Sequence, residues 1–185
     1  MKVIKRNGRT EELDISKIKK YTTAAVAGLE NVNLSELEVD AKIQFRDMIT
    51  TEEIQQTLIK TAVDKIDIDR PNWTFVAARL FLYDLYHKVT GFNGYNHLRE
   101  YLQKGEKAGR IIAGLKEKYD LDDLNAYIRP ERDLQFAYLG IKTLYDRYLI
   151  KDKNGAPIEL PQQMFMAIAM FLAQNELDCQ GWAKK

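Results

Sequence analysis

Apolar residues recur three and four apart over most of the chain, the period of amphipathic helices. Ile15, Ile18, Thr22, Ala25, Val26 and Leu29 form the first run, opened by Asp14 as N-cap and closed by Gly28 and Asn31-Val32-Asn33. A second helix is expected near Ser35, with Glu38 completing a capping box and Leu37, Ala41 and Phe45 on its buried side. Thr50 and Glu53 make another capping box ahead of Ile54, Leu58, Thr61 and Ile66. Asp69-Arg70-Pro71 breaks that helix, with Pro71 suited to the first turn of the next. The fourth run, Trp73, Val76, Ala77, Leu80, Phe81, Tyr83 and Leu85, is strongly apolar and ends near Thr90-Gly91.

The first residues depart from this period. Val3 to Arg6 form a short extended run, Asn7-Gly8 suits a type I′ turn, and Arg9 to Glu12 runs back. The pattern predicts a mainly α chain whose first module, residues 1–91, is a four-helix bundle capped by a small β-sheet or hairpin. Residues 92–185 form a second, helical segment. It starts with a turn-rich elbow at Phe92 to Asn96, followed by short helices around 95–107 and 121–128. One longer helix is expected over Pro130 to Leu149, with Phe136, Leu139, Gly140, Leu144 and Tyr148 inward. Lys153 to Pro157 is a hairpin turn, and Pro161 opens a helix to about Asn175 with Met164, Phe165, Ile168, Ala169 and Leu172 inward. Its Met and Phe residues read as core fillers rather than a cofactor box. Gly181 to Lys185 gives no clear stop, and the chain reads as a piece of a longer one.

Composition narrows the class. The 185 residues are 45% hydrophobic and 30% charged, the profile of a globular protein. The net charge of +1 gives no global pull toward nucleic acid or anionic membrane. Residues 1–20 nonetheless carry seven cations and three anions, a local excess that a solvated face also explains. The single cysteine, Cys179, excludes an intramolecular disulfide and a cysteine-based zinc site, and points to a reducing compartment. No apolar leader follows Met1, and Met164 to Ala173 is too short to span a bilayer. A cytoplasmic protein is expected.

Catalytic signatures are missing: no GxxxxGK[ST], no GxGxxG, no GxSxG. His87 and His97 lie ten apart without metal-ligand spacing, and Cys179 reads as an incidental thiol. The hairpin carries the best chemistry. Lys5 and Arg6 suit phosphates as a point charge and a fork, with Lys17 one turn into the first helix. Glu11 and Asp14 can accept hydrogen bonds from an exocyclic amine, which adenine offers and guanine replaces with a carbonyl. Val3, Leu13 and Ile18 are candidate apolar walls.

The run Val3-Ile4-Lys5-Arg6-Asn7-Gly8, then Glu11, Leu13-Asp14 and Lys17-Ile18, resembles the opening motif of the ATP-cone, a regulatory nucleotide-binding domain. Ile43-Gln44-Phe45, Ile49, Thr51, Ile54 and Ala77-Ala78-Arg79-Leu80 match its later helices. ATP-cones occur in large subunits of ribonucleotide reductases and in a zinc-ribbon transcriptional repressor; no cysteine ribbon precedes this one. Pro130-Glu131-Arg132-Asp133, Phe136, Tyr138, Gly140 to Leu144, Tyr148-Leu149 and Leu160 to Met166 resemble the helical segment leading into the class I reductase barrel.

The resemblance implies an overall-activity site in the large (α) subunit of a ribonucleoside-diphosphate reductase. ATP, with Mg2+, would keep the enzyme active, and dATP would turn it off. Lys5 and Arg6 would meet the phosphates, and Glu11 and Asp14 the adenine. Val3, Leu13, Ile18 and Ile54 would line the base, Lys17 and Thr51 would lie at phosphate or ribose positions, and Tyr83 would form an aromatic wall. Gln55 stands where some relatives carry a histidine near the sugar, and His87 where they carry a phosphate-binding lysine. The family's redox-active cysteines match nothing here, so no catalytic residue is expected in this chain, and the spacing of His87 and His97 gives no metal ligand. The implied partners are a small (β) subunit and other large subunits, with no nucleic acid and no membrane. Two other readings stand beside this one. One is a degenerate cone that only supports assembly. The other is a nucleic-acid-binding hairpin, which the near-neutral charge disfavours.

Overall fold

The computed structural model describes residues 1–185. Strands β1 (Lys2–Ile4) and β2 (Thr10–Glu12) form the expected hairpin, with Val3 opposite Glu11. The turn is not type I′. Only Gly8 takes a positive φ, +79°, while Asn7 uses its Oδ1 to accept the Arg9 N–H at 3.1 Å. Lys5 N–H donates to the Arg9 carbonyl and Gly8 N–H to the Lys5 carbonyl, closing a three-residue loop around a left-handed glycine. A third strand, β3 (Ile49–Thr50), pairs parallel to β1 and completes the order β2-β1-β3. Two residues are too few to show alternation, so this strand leaves no sequence signal.

Four helices follow the hairpin. Helix α1 (Ile15–Val26) starts at Asp14, whose carboxylate accepts the Ser16 N–H at 3.0 Å. Helix α2 (Leu34–Lys42) starts from Asn33, not from a Ser35–Glu38 box: Asn33 Oδ1 accepts the Ser35 and Glu36 N–H groups. Glu38 is occupied elsewhere, accepting the Thr22 hydroxyl at 2.7 Å and so tying α2 to α1. Phe45 lies beyond the end of α2 and is half-buried. Helix α3 (Thr51–Asp64) has the expected Thr50–Glu53 capping box. It stops before Ile66, which is exposed. Helix α4 (Trp73–Thr90) buries Trp73, Val76, Ala77 and Leu80 completely. With Leu37 and Ala41 of α2, and Leu58 and Ala62 of α3, these side chains make the core under the sheet.

The chain divides into two compact units, Met1–Asp84 with Phe136–Lys142, and Leu85–Gln135 with Thr143–Lys185. In the second unit, α5 (Leu98–Lys107) begins at His97, whose Nδ1 accepts the Arg99 N–H. Gly105 lets α5 meet Ile111 closely; a Cβ there would fall 2.4 Å from Ile111 Cδ1. Helix α6 (Leu121–Tyr127) starts at Asp120, which accepts the Asp122 and Asp123 N–H groups.

The single helix expected over Pro130 to Leu149 is two elements: a 3-10 stretch, Pro130–Gln135, and α7 (Tyr138–Arg147). The break places Asp133 inside the protein, and the Tyr138 N–H is taken by the Thr74 hydroxyl at 3.1 Å. Restarting the helix also rotates its frame. Leu139 and Tyr148 are exposed, and Ile141 and Leu149 are buried instead. Helix α8 (Pro161–Ala173) forms as expected but turns another face inward. Met164 is buried, with Met166, Met170 and Ala173, while Phe165, Ile168 and Leu172 are exposed. Beyond Gln162 and Gln163 the helix is apolar around its circumference, so its pattern offers little contrast from which to choose a face. A final short helix, α9 (Cys179–Trp182), has Asp178 at its start, and Ala183 just beyond it is buried.

Glu159 is buried just ahead of α8 and accepts the Tyr101 hydroxyl and, at 2.8 Å, the Ile150 N–H. Burial pushes its carboxyl above the usual range. A raised folded-state pKa contributes stability that is full below the unfolded value, ~4.3 for Glu, and is lost as pH rises through the folded one. Glu159→Gln removes that titration while still accepting from Ile150 and donating to the Tyr101 oxygen. The variant is therefore expected to gain on the parent in melting temperature between pH 5 and pH 8. A constant difference across that range would remove Glu159 as a source of pH dependence.

Candidate functional site

The hairpin register gathers part of the expected set. Val3 and Glu11 face each other across β1 and β2, and side chains two apart share a face, so Lys5 projects on the same side. Its Nζ lies 3.9 Å from Glu11 Oε2, with both side chains partly exposed. Val3 itself is buried, held between Glu11 on one side and Ile49 on the other. Met1 and Lys2 are fastened as well: Leu13 N–H donates to the Met1 carbonyl, Met48 N–H to the Lys2 carbonyl, and Lys2 N–H to Asp47 Oδ1 at 2.7 Å.

Asp14 and Lys17 meet at the start of α1. The Ser16 hydroxyl donates to Asp14 at 2.5 Å and holds its carboxyl below the usual range, and Lys17 Nζ stands 3.9 Å away. Asp14 thus has a structural task, capping α1, beside any task toward a ligand. The Asp14 and Glu11 side chains are each about half exposed, which leaves them accessible to an external donor.

Arg6 reaches α4. Its Nη2 donates to Asp84 Oδ1 at 2.9 Å; the guanidinium is about half exposed, and Asp84 is 4% exposed. One edge of the fork is therefore anchored on a buried carboxylate, and a guanidinium has five N–H donors in all. Asp84 is absent from the expected set. Its signal was present: it is the one acid within the apolar helical run Trp73 to Leu85, and an isolated charge there implies a buried partner.

The other expected residues fall into different settings. Gln55 donates to the Leu80 carbonyl at 2.7 Å, so its amide ties α3 to α4. Ile54 is buried and Thr51 partly buried at the start of α3. Tyr83 packs its ring 5.9 Å from that of Tyr21, another residue outside the expected set, and burial raises its hydroxyl pKa. His87 is one turn further along α4 and partly buried. Leu13 and Ile18 line a cavity of about 200 Å3 together with Ile15, Val39, Phe45 and Leu58, with Glu38 and Lys42 among its walls. Val3, Ile54, Lys5 and Arg6 do not line it.

Chemically, the expected residues on the hairpin and the start of α1 are the cations Lys5, Arg6 and Lys17 and the carboxylates Glu11 and Asp14. Cations of this kind bind phosphate oxygens, and the carboxylates accept from an amine. No three carboxylate, histidine or cysteine side chains are grouped to hold a metal ion. No helix is long and apolar enough to cross a membrane.

The ATP cone domain family model matches residues 1–88, and the model of the ribonucleotide reductase all-alpha domain matches residues 134–185. The chain is similar to the ribonucleoside-diphosphate reductase subunit alpha of Helicobacter pylori, 74% identical over 174 residues covering 94% of this chain and 22% of the relative. It is 33% identical to ribonucleoside-diphosphate reductase 1 subunit alpha of Salmonella typhimurium and 32% identical to that of Escherichia coli. Each of these alignments covers 94% of the chain and 23% of the relative, so the chain spans less than a quarter of the length of the curated relatives it matches. Two domain matches in order, joined by similarity along nearly the whole chain, place it in one family: the chain belongs to the ribonucleoside-diphosphate reductase alpha subunits, of which it carries the ATP cone and part of the all-alpha domain.

Proposed function

We propose that residues 1–91 are an overall-activity domain that binds ATP or dATP, with Mg2+, and regulates a class I ribonucleoside-diphosphate reductase. The parent enzyme would convert ribonucleoside diphosphates to deoxyribonucleoside diphosphates in the cytoplasm, working with a β subunit and with other α subunits. The observation that carries this reading is the ATP-cone match over residues 1–88, and the clustering of Lys5 with Glu11 and of Asp14 with Lys17 supports it. In this reading Lys5, Arg6 and Lys17 neutralise the phosphates. Glu11 and Asp14 accept from the adenine amine, and Val3, Leu13, Ile18 and Ile54 supply apolar surface near the base. Thr51 stands near the ribose, Gln55 acts through α4 rather than on the sugar, and Tyr83 and His87 extend the site along α4. ATP and dATP differ by one hydroxyl, so they switch the enzyme only through different relative affinities for its assembly states.

Calorimetric titration of the chain with ATP, dATP and GTP at fixed Mg2+ tests this. Both adenine nucleotides are expected to bind, and GTP at least about tenfold more weakly, since two acceptors facing a carbonyl leave a hydrogen bond unmade. No heat from any of the three, in a folded chain, would leave a cone that serves assembly alone.

A further inference from the structure

Helix α4 makes two buried polar contacts only two residues apart. Asp84 accepts from Arg6 of the hairpin at 2.9 Å. Tyr86, 6% exposed, donates its hydroxyl to Asp133 at 2.8 Å. Asp133 is fully buried and has no cation among its partners in the hydrogen-bonded group it centres. Its Oδ2 also accepts the Tyr95 hydroxyl at 2.6 Å, and its Oδ1 accepts Gln162 Nε2 at 2.8 Å. The Tyr95 oxygen in turn accepts the Gln162 backbone N–H at 3.0 Å, in the first turn of α8. A single carboxylate therefore joins α4, the elbow after it, the 3-10 stretch and α8. Every arm is a directional hydrogen bond to or beside a fully buried carboxylate; the Tyr86 arm is itself buried, and the Tyr95 and Gln162 arms are partly so, a setting in which an incomplete network is costly.

We propose that Asp133 is a positioning residue that couples α4 to the start of α8, so that occupancy of the hairpin site is felt in α8. The proposal rests on the nucleotide-binding reading above. Phosphates arriving at Arg6 change the charge balance of its pair with Asp84, on the helix that also carries Tyr86. The Tyr86 hydroxyl is the arm that reports α4 to Asp133, and Gln162 is the arm that passes it to α8.

Tyr86→Phe and Tyr95→Phe separate this role from stability. Each removes one hydroxyl and keeps its ring. Only the first cuts the line from α4 through Asp133 to Gln162. Amide hydrogen exchange is followed in residues 1–26 and 161–173 of the chain, with and without saturating ATP and Mg2+. In the parent and in Tyr95→Phe, ATP is expected to slow exchange at the hairpin and, by about fivefold or more, in α8. In Tyr86→Phe the hairpin should still be protected and α8 should not respond. An α8 response retained in Tyr86→Phe, or absent from the parent while the hairpin responds, overturns the coupling alone. No protection at the hairpin of the parent overturns the nucleotide reading, and this proposal with it.

Discussion

Replacing Lys5 and Arg6 together by alanine is expected to reduce ATP affinity by at least about 100-fold. Each is a cation suited to charge-assisted hydrogen bonds with phosphate, worth ~1.5–3 kcal/mol apiece, and 1.4 kcal/mol is tenfold in affinity. The helices should persist, because α1 is capped by Asp14 and α3 by the Thr50–Glu53 box, independently of either cation. Arg6 also pairs with the buried Asp84, so the double variant removes a structural contact as well as a phosphate ligand. Lys5→Ala isolates the binding contribution: the side chain is about a third exposed and faces a half-exposed Glu11. That variant should lose about tenfold in affinity with an unchanged melting temperature. Calorimetric titration paired with circular dichroism reads both quantities, and unaltered affinity in the double variant would remove the hairpin from the site.

The largest effect on stability is expected from Asp133→Ala. The change leaves the Tyr86 hydroxyl and the Gln162 amide without the acceptor they use, and deprives the Tyr95 hydroxyl of its own. A buried polar group stripped of its partner costs ~1–3 kcal/mol, so the total is about 3 kcal/mol or more. For a chain of this size that lowers the melting temperature by roughly 6 °C or more. Part of the loss is offset, because burial raises the Asp133 carboxyl pKa and its ionised form is itself disfavoured. Asp122→Ala, at a carboxylate that is 76% exposed, should change stability by no more than about 0.5 kcal/mol. Equal melting temperatures for Asp133→Ala and the parent would show that the three donors find other acceptors.

Sequence and structure agree where a local rule suffices. The Asp14 cap, the Thr50–Glu53 box and the apolar stripe of α4 depend on residues within a few positions of one another, and each is found as expected. The type I′ turn at Asn7-Gly8 fails because a single residue of loop length separates it from the three-residue loop observed, and the Asn side chain fits the latter by bonding Arg9. The face of α8 fails for another reason: a helix with Met, Phe, Ile and Leu around its whole circumference leaves the choice to its neighbours. The buried carboxylates Asp84, Asp133 and Glu159 show the same dependence on distant partners. Asp84 meets a hairpin residue 78 positions away, and Tyr101 meets Glu159 58 positions away. At the hairpin, charge type and spacing marked Lys5, Glu11, Asp14 and Lys17, and register and capping bring these into two pairs, Lys5 with Glu11 and Asp14 with Lys17. The docking of Arg6 on α4, the tie from Gln55 to Leu80 and the Tyr21–Tyr83 ring pair depend on tertiary packing that no local pattern encodes.

Adenine nucleotides binding at the hairpin and the start of α1 would perturb the backbone amides of those residues. Amide chemical-shift mapping of the isotopically labelled chain during titration with ATP and Mg2+ tests it most directly. Saturable shifts are expected to concentrate at Lys5, Arg6, Glu11, Asp14 and Lys17, with smaller changes around Ile54 and Tyr83. Saturable shifts confined to another surface, or none at nucleotide concentrations in the millimolar range, would contradict it.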